Sequence, residues 1–171
     1  ELSATSGRTA EQRAQAKWHR GHRSLVVVNK LAREGIHQYQ VGYAENLPYR
    51  KNFFQTITCT YGVRNFKNRK DGFTEIYRCL KKNGYFLIME FGIPKRDLLK
   101  KPYKNFLKYV LPFTGSIIAN DRHSYKYLAE SIISFPSQIS LVNELKNIGF
   151  SHVKTIDFIS GANSIYILQK K

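Results

Sequence analysis

Three short segments hold the residue types best suited to chemistry: Tyr43-Ala44-Glu45-Asn46-Leu47-Pro48-Tyr49, Thr60-Tyr61-Gly62-Val63-Arg64-Asn65 and Glu90-Phe91-Gly92-Ile93-Pro94. Arg64 and Asn65 are the most telling pair. Both are polar groups delivered at the end of a predicted strand, where a purely structural role is less common. Arginine is essentially always protonated, so it is poorly suited to act as a base. Gly62 permits close backbone approach beside them. Ala44 followed by Leu47 suits the lining of a flat ring pocket. Each residue also has a plainer reading, Arg64 as an ion-pair partner of Glu90 and Asn65 as a cap for the helix that follows. Two cysteines, Cys59 and Cys79, are too few for a disulfide framework, and no metal-ligand spacing is present.

These segments gain meaning if they sit at strand ends, because open α/β sheets bind ligands beyond the carboxyl ends of their strands. The hydrophobic pattern predicts such a sheet. Leu25 to Arg33 reads as a helix on Val27, Val28 and Leu31, ended by Gly35, and His37 to Gly42 as a short strand. Gln55 to Tyr61 is β-branched and alternating, hence a strand. Asp71 to Lys82 places Phe73, Ile76, Tyr77 and Leu80 on one helical face, with acids early and lysines late. Tyr85 to Phe91 is a continuous apolar run, as expected of a strand buried on both faces. Pro102 to Val110, Ser124 to Ile133 and Gln138 to Ile148 read as helices, the last capped by Gly149. His152 to Phe158 and Asn163 to Gln169 flank a Ser160-Gly161 turn and predict an antiparallel hairpin. The sum is a mostly parallel sheet with one reversed strand. Residues 1–24 differ: they are basic and polar, with Thr9 and Gln12 able to cap a short helix over Ala10 to Trp18, and partial disorder is expected.

The 171 residues carry 28 Lys plus Arg against 12 Asp plus Glu, a net charge of +16. That balance implies an anionic partner, or only a coding bias that also enriches Asn, Ile, Tyr and Phe. A hydrophobic fraction of 42% supports a packed core, so wholesale disorder is not expected. No run approaches the ~18 apolar residues of a membrane span. The chain has no zinc-finger spacing, RNA-binding aromatic octapeptide or basic zipper, so nucleic acid is not the expected partner. Lys95 to Lys108 holds six basic residues and one acid, interleaved with Leu98, Leu99, Tyr103, Phe106 and Leu107. It reads either as a helix lying on an anionic membrane surface or as an ordinary surface helix with a buried stripe.

In order along the chain, AENLPY, YGVRNF, RCLKKNGYFLIMEFGIP, NDRHSYKYLAESI, FPSQ and GF form a more specific pattern. It resembles the C-methyltransferases of ubiquinone and menaquinone biosynthesis. These methylate a ring carbon of a polyprenyl quinol with S-adenosylmethionine (SAM). The resemblance covers Leu25 to Lys171 and rests chiefly on GVRN and SYKYLAESI, since AENLP and LKKNG are general to the wider fold. It implies a Rossmann-like class I SAM methyltransferase sheet with an antiparallel C-terminal hairpin. It places Tyr43 and Ala44 at the adenine edge, where Tyr43 departs from the Asp or Asn usual in the family, and Thr60 at the SAM site. Arg64 and Asn65 match the pair near the reacting quinol, and Asn120, Asp121 and Tyr125 the motif that walls the quinone pocket. The implied partners are a benzoquinol or demethylmenaquinol carrying a polyprenyl tail, an anionic membrane surface and other quinone-biosynthesis proteins. The implied location is peripheral to the inner membrane, on the cytoplasmic side, or on the matrix side in a mitochondrion.

The same resemblance implies a first strand, a Gly-rich turn, a helix and a second strand ending in an acid for the ribose. Before Gly35 the chain offers only Gly7 and Gly21, and upstream of Glu45 only Glu1, Glu11 and Glu34. A strand–helix–strand unit needs ~30 residues or more. The sequence therefore predicts an incomplete methyltransferase domain over 25–171 behind an unrelated segment 1–24, lacking the first strands and the Gly-rich loop. Glu1 in place of Met agrees with a processed or truncated product. Such a chain is expected to bind SAM poorly. The rival reading is a non-catalytic protein of the same fold that works through its basic surface.

Overall fold

The structure is a computed structural model that describes residues 25–27, 30–31, 37–38, 41–118 and 121–171. Strands β1 (Leu25–Val27) and β4 (Val41–Tyr43) pair antiparallel, as do β2 (Lys30–Leu31) and β3 (His37–Gln38). The helix expected over Leu25 to Arg33 is therefore replaced by extended chain at Leu25–Val27 and Lys30–Leu31. Successive valines are stiff at χ1 and favour a pleated surface. Three apolar positions were too few to outweigh that preference. The strand expected over His37 to Gly42 appears as the separate β3 and β4. The helix expected over Ala10 to Trp18, and the rest of 1–24, lie outside the described residues.

Strand β5 (Phe54–Thr60) leads through a single 3-10 turn (Val63–Asn65) into helix α1 (Arg69–Cys79). Asn68 caps α1, its side chain accepting from the N–H groups of Lys70 at 3.0 Å and Asp71 at 3.3 Å. Strand β6 (Leu80–Phe91) returns parallel to β5. The sequence pattern carried the helix on to Lys82. The chain instead leaves it at Cys79, because Leu80 is fully buried as the partner of Phe54 in the sheet. Along β6, Phe86, Ile88 and Glu90 are buried, whereas Leu87, Met89 and Phe91 on the opposite face are only half-buried. The expected burial on both faces thus holds fully for one face alone.

Helix α2 (Asp97–Asn105) runs through a π turn (Phe106–Val110) into α3 (Leu111–Ile118). The helix expected over Pro102 to Val110 is thus the middle of a longer element. Helices α4 (Arg122–Ile133) and α5 (Gln138–Ile148) follow close to their expected positions. Gly149 ends α5 at φ +118°, a left-handed value that glycine adopts without strain. Strands β7 (Phe150–Phe158) and β8 (Asn163–Lys170) form the expected hairpin.

The sheet order is β5-β6-β8-β7, with β8 antiparallel to both neighbours and the other strands parallel. This is the mostly parallel sheet with one reversed strand that the pattern implied. Its main core gathers Phe73 and Ile76 of α1, Phe86 and Ile88 of β6, Leu141 and Leu145 of α5, and Tyr166 and Leu168 of β8. Arg69 grips Glu144 through Nε at 3.0 Å and Nη2 at 3.1 Å, tying α1 to α5. A second cluster, Leu107, Ala129 and Ile132 with Phe91 and Ile93, seats the α2–α4 layer over the end of β6.

Lys170 locks the end of β8 to the end of α1. Its ammonium donates to the carbonyls of Tyr77 and Leu80, both at 2.7 Å, and to Asn52 Oδ1 at 3.1 Å. Burial, then the charge of Lys51, lowers its pKa. Cutting this cap strands carbonyls that water reaches poorly. Lys170→Met is expected to destabilise the fold by about 1–3 kcal/mol, read as a lower urea midpoint at unchanged m-value.

Candidate active site

Strand β5 stops at Thr60 because the next residue turns sharply. Tyr61 has φ +54°, a left-handed conformation that is rare and costly for an aromatic residue. Three contacts hold it there. Its N–H donates to the Met89 carbonyl at 2.8 Å. Its ring stacks on Phe91 with centroids 4.4 Å apart. Its hydroxyl accepts from Asn163 Nδ2 at 2.7 Å. Gly62 then passes over Cys59: a Cβ at Gly62 would lie 2.8 Å from the Cys59 sulfur. The close approach that Gly62 allows is to this thiol. Burial, then the nearby Glu90 charge, pushes the thiol up to about 12, so it stays protonated at neutral pH.

The turn delivers Arg64 onto Glu90. The two side chains are 6% and 0% exposed and form an ion pair between Nη1 and Oε1. The Arg64 backbone N–H adds a bond to Glu90 Oε2 at 3.3 Å, and the Phe91 N–H one to Oε1 at 3.1 Å. The guanidinium lies 5.8 Å from the centroids of both Tyr61 and Phe91. Its Nε–H is buried and has no hydrogen-bond partner. Burial raises the pKa of Glu90, and the charge of Arg64 with the hydrogen bonds it receives counters this only in part. The pairing with Glu90 was the plainer reading of Arg64, and it is realised.

Asn65 sits beside this pair and is bridged to α4, where the Tyr127 hydroxyl donates to Asn65 Oδ1 at 2.9 Å. Tyr127 was not singled out in the sequence. Its signal was there, in the SYKYLAESI motif, but which tyrosine faces the turn depends on how α4 docks. Tyr125 instead packs on α3: a Cβ at Gly115 would lie 2.3 Å from its ring. Asp121 caps α4, accepting from the Ser124 N–H at 2.9 Å. Asn120 lies outside the described residues.

The residues expected at the cofactor are split. Tyr43 is 45% exposed and Thr60 is also exposed, so both present surface near the strand ends. Ala44 is fully buried, its methyl facing α1 at Gly72. Their loop is pinned by two residues the sequence reading passed over. Glu75 accepts from the Leu47 N–H at 2.9 Å, and Arg78 donates to the carbonyls of Tyr49 at 2.7 Å and Leu47 at 3.0 Å. The i,i+3 spacing of Glu75 and Arg78 on α1 was the available signal. The hydrogen bond from Arg78 is the main cause that lowers the Glu75 pKa.

The family model described as the ubiE/COQ5 methyltransferase family matches residues 25–170. The chain belongs to this family. The ubiquinone/menaquinone biosynthesis C-methyltransferase UbiE of Blochmanniella floridana is 35% identical over 148 residues, covering 86% of this chain and 56% of that protein. The UbiE protein of Francisella tularensis subsp. novicida is 37% identical over 130 residues, covering 76% of this chain and 52% of its own length. The chain thus spans about half the length of the curated relatives it matches. Among solved structures, a SAM-dependent methyltransferase of Methanosarcina mazei aligns with a TM-score of 0.52 at 16% identity, over 95% of this chain and 78% of that one. Another from Thermotoga maritima aligns at 0.52 with 19% identity, over 76% and 62%. At that identity these two support the Rossmann-like methyltransferase fold and nothing finer.

Among the described residues there is no Gly-rich turn, and the carboxylate at the end of the apolar strand β6, Glu90, is taken up by Arg64.

The raised pKa of Glu90 has a definite sign in stability. The fold favours the protonated acid relative to its ordinary value of 4.5. That contribution is full below the ordinary value and is lost as pH rises through the folded one. Urea unfolding of the wild type and of Glu90→Gln from about pH 4 to about pH 8 is expected to give a difference in stability that shrinks as pH rises. A difference that grows with pH would place the carboxyl below its ordinary value.

Proposed function

We propose that this chain carries the quinol-facing half of a SAM-dependent C-methyltransferase that acts on a polyprenyl benzoquinol or a demethylmenaquinol, at the surface of the membrane that stores such tails. The names of its relatives support the substrate class. The observation that carries the reading is the Arg64-Asn65 turn: a buried guanidinium, anchored by Glu90, whose Nε–H has no hydrogen-bond partner. A quinol carbon is a weak nucleophile until the neighbouring hydroxyl loses its proton. Arg64 stabilises the resulting phenolate, and its charge acts strongly because Tyr61 and Phe91 shield it from water. Asn65, held by Tyr127, orients the ring. Tyr125, Asp121 and Asn120 belong to the segment that encloses the substrate. SAM, when bound, supplies an electrophilic methyl group, with Tyr43 and Ala44 at its adenine edge and Thr60 also at its site. The same reading puts the protein on the cytoplasmic face of the inner membrane, or on the matrix side in a mitochondrion, among the enzymes that make quinones.

The rival, a non-catalytic protein of this fold, draws support from the lack of a Gly-rich turn among the described residues. Two measurements separate the two readings. In the first, isothermal titration of the 171-residue chain with SAM is expected to give no micromolar binding, and micromolar binding would overturn that expectation. In the second, residues 25–171 are fused behind the part of a UbiE relative that the match leaves uncovered. The fusion is expected to methylate a demethylmenaquinol, and Arg64→Met to lower kcat/KM by about 100-fold to 1000-fold. A fusion that binds SAM but leaves every quinol unmethylated would favour the rival.

A further inference from the structure

The helical stretch from Asp97 to Ile118 carries several large apolar side chains that are exposed. Helix α2 buries no residue, and the π turn buries only Leu107. Yet Leu98 is 86% exposed, Phe106 43%, Tyr109 62%, Val110 45%, Phe113 63% and Ile117 68%. From Phe106 onward these residues recur at spacings of three and four, which puts them on one side of the helix. Single exposed hydrophobes are ordinary on a protein surface. A run of six large ones on one helix marks a contact surface.

The charge beside this stripe says what covers it. Lys95 is paired with Asp157 at 2.5 Å, and Asp97, the only acid from 95 to 118, with Lys100 at 2.7 Å. Arg96, Lys101, Lys104 and Lys108 make no ion pair among the described residues. Aromatic rings with flanking lysines suit the boundary between headgroups and acyl chains. A second copy of a chain with net charge +16 would be repelled at this face. No described helix is long and apolar enough to cross a membrane, so the stretch would lie on the surface.

We propose that the Asp97–Ile118 stretch docks the protein on an anionic lipid bilayer. Phe106, Tyr109, Val110, Phe113 and Ile117 enter the interface, and Arg96, Lys101, Lys104 and Lys108 meet the lipid phosphates. This surface adjoins the reactive turn, because Tyr125 of α4 packs on Gly115 of α3 and Tyr127 of the same helix bonds Asn65. A quinol whose tail stays in the bilayer would be presented to that end of the sheet. The purpose of docking rests on the quinol reading, but its test involves no methyl transfer, so the two can fail separately.

The test is flotation of the 171-residue chain with vesicles of phosphatidylcholine alone or of phosphatidylcholine with phosphatidylglycerol. Binding is expected only with phosphatidylglycerol and should weaken with salt. Two variants, Val110→Ser with Ile117→Ser, and Lys101→Gln with Lys104→Gln and Lys108→Gln, should each lose at least about tenfold in affinity. All of these side chains are exposed, so circular dichroism and the thermal midpoint should stay unchanged. A control with the same loss of charge elsewhere, Lys146→Gln with Lys154→Gln and Lys171→Gln, should keep its binding. Equal loss in the control would reduce the effect to net charge and overturn the proposal. So would absent binding, or a solution dimer that the Val110/Ile117 variant dissociates.

Discussion

Two opposite charges meet where β5 and β6 end, and most of the site is arranged around them. Glu90 is sealed from solvent and Arg64 is nearly so. Removing two ions from water costs about as much as their attraction returns, so such a pair adds little net stability. What it provides is position. Glu90 takes the Arg64 side chain and the Arg64 backbone N–H together, which fixes the turn and the side chain that leaves it. The left-handed Tyr61 and the tight passage of Gly62 over Cys59 are the local costs of bringing the chain to that point.

Other parts of the molecule support this arrangement from outside. Asn163, at the start of β8, holds the Tyr61 hydroxyl, so the reversed strand reaches the turn. Tyr127 ties Asn65 to α4, and through Tyr125 and Gly115 that helix is fitted closely to α3. Glu75 and Arg78 set the loop at Leu47 and Tyr49 in the same way, by gripping its backbone rather than its side chains. The surface helix and the buried ion pair thus belong to one connected layer.

The sequence made α1, α5, β5 and the closing hairpin legible because their apolar spacing repeats over enough residues to choose one period. It failed at Leu25–Val27, where a run of valines fits either period and β-branching decides. It ended α1 too late, since Lys81 and Lys82 suit a helix terminus while Leu80 is claimed by the sheet. It placed Pro102 at the start of a helix that in fact begins at Asp97. Arg64 and Asn65 stood out because polar residues at a strand end are unusual. Lys170, Tyr127 and Asn163 did not, because their partners lie far along the chain and only the docked elements bring them together.

The claim at the centre of this account is that Glu90 and Arg64 act as a unit. A double-mutant cycle measures this directly, with unfolding free energies for the wild type, Arg64→Met, Glu90→Gln and the double variant. Each single change strands a buried partner, so the double variant should be less destabilised than the sum of the singles by about 1 kcal/mol or more. Additivity within about 0.5 kcal/mol would contradict it.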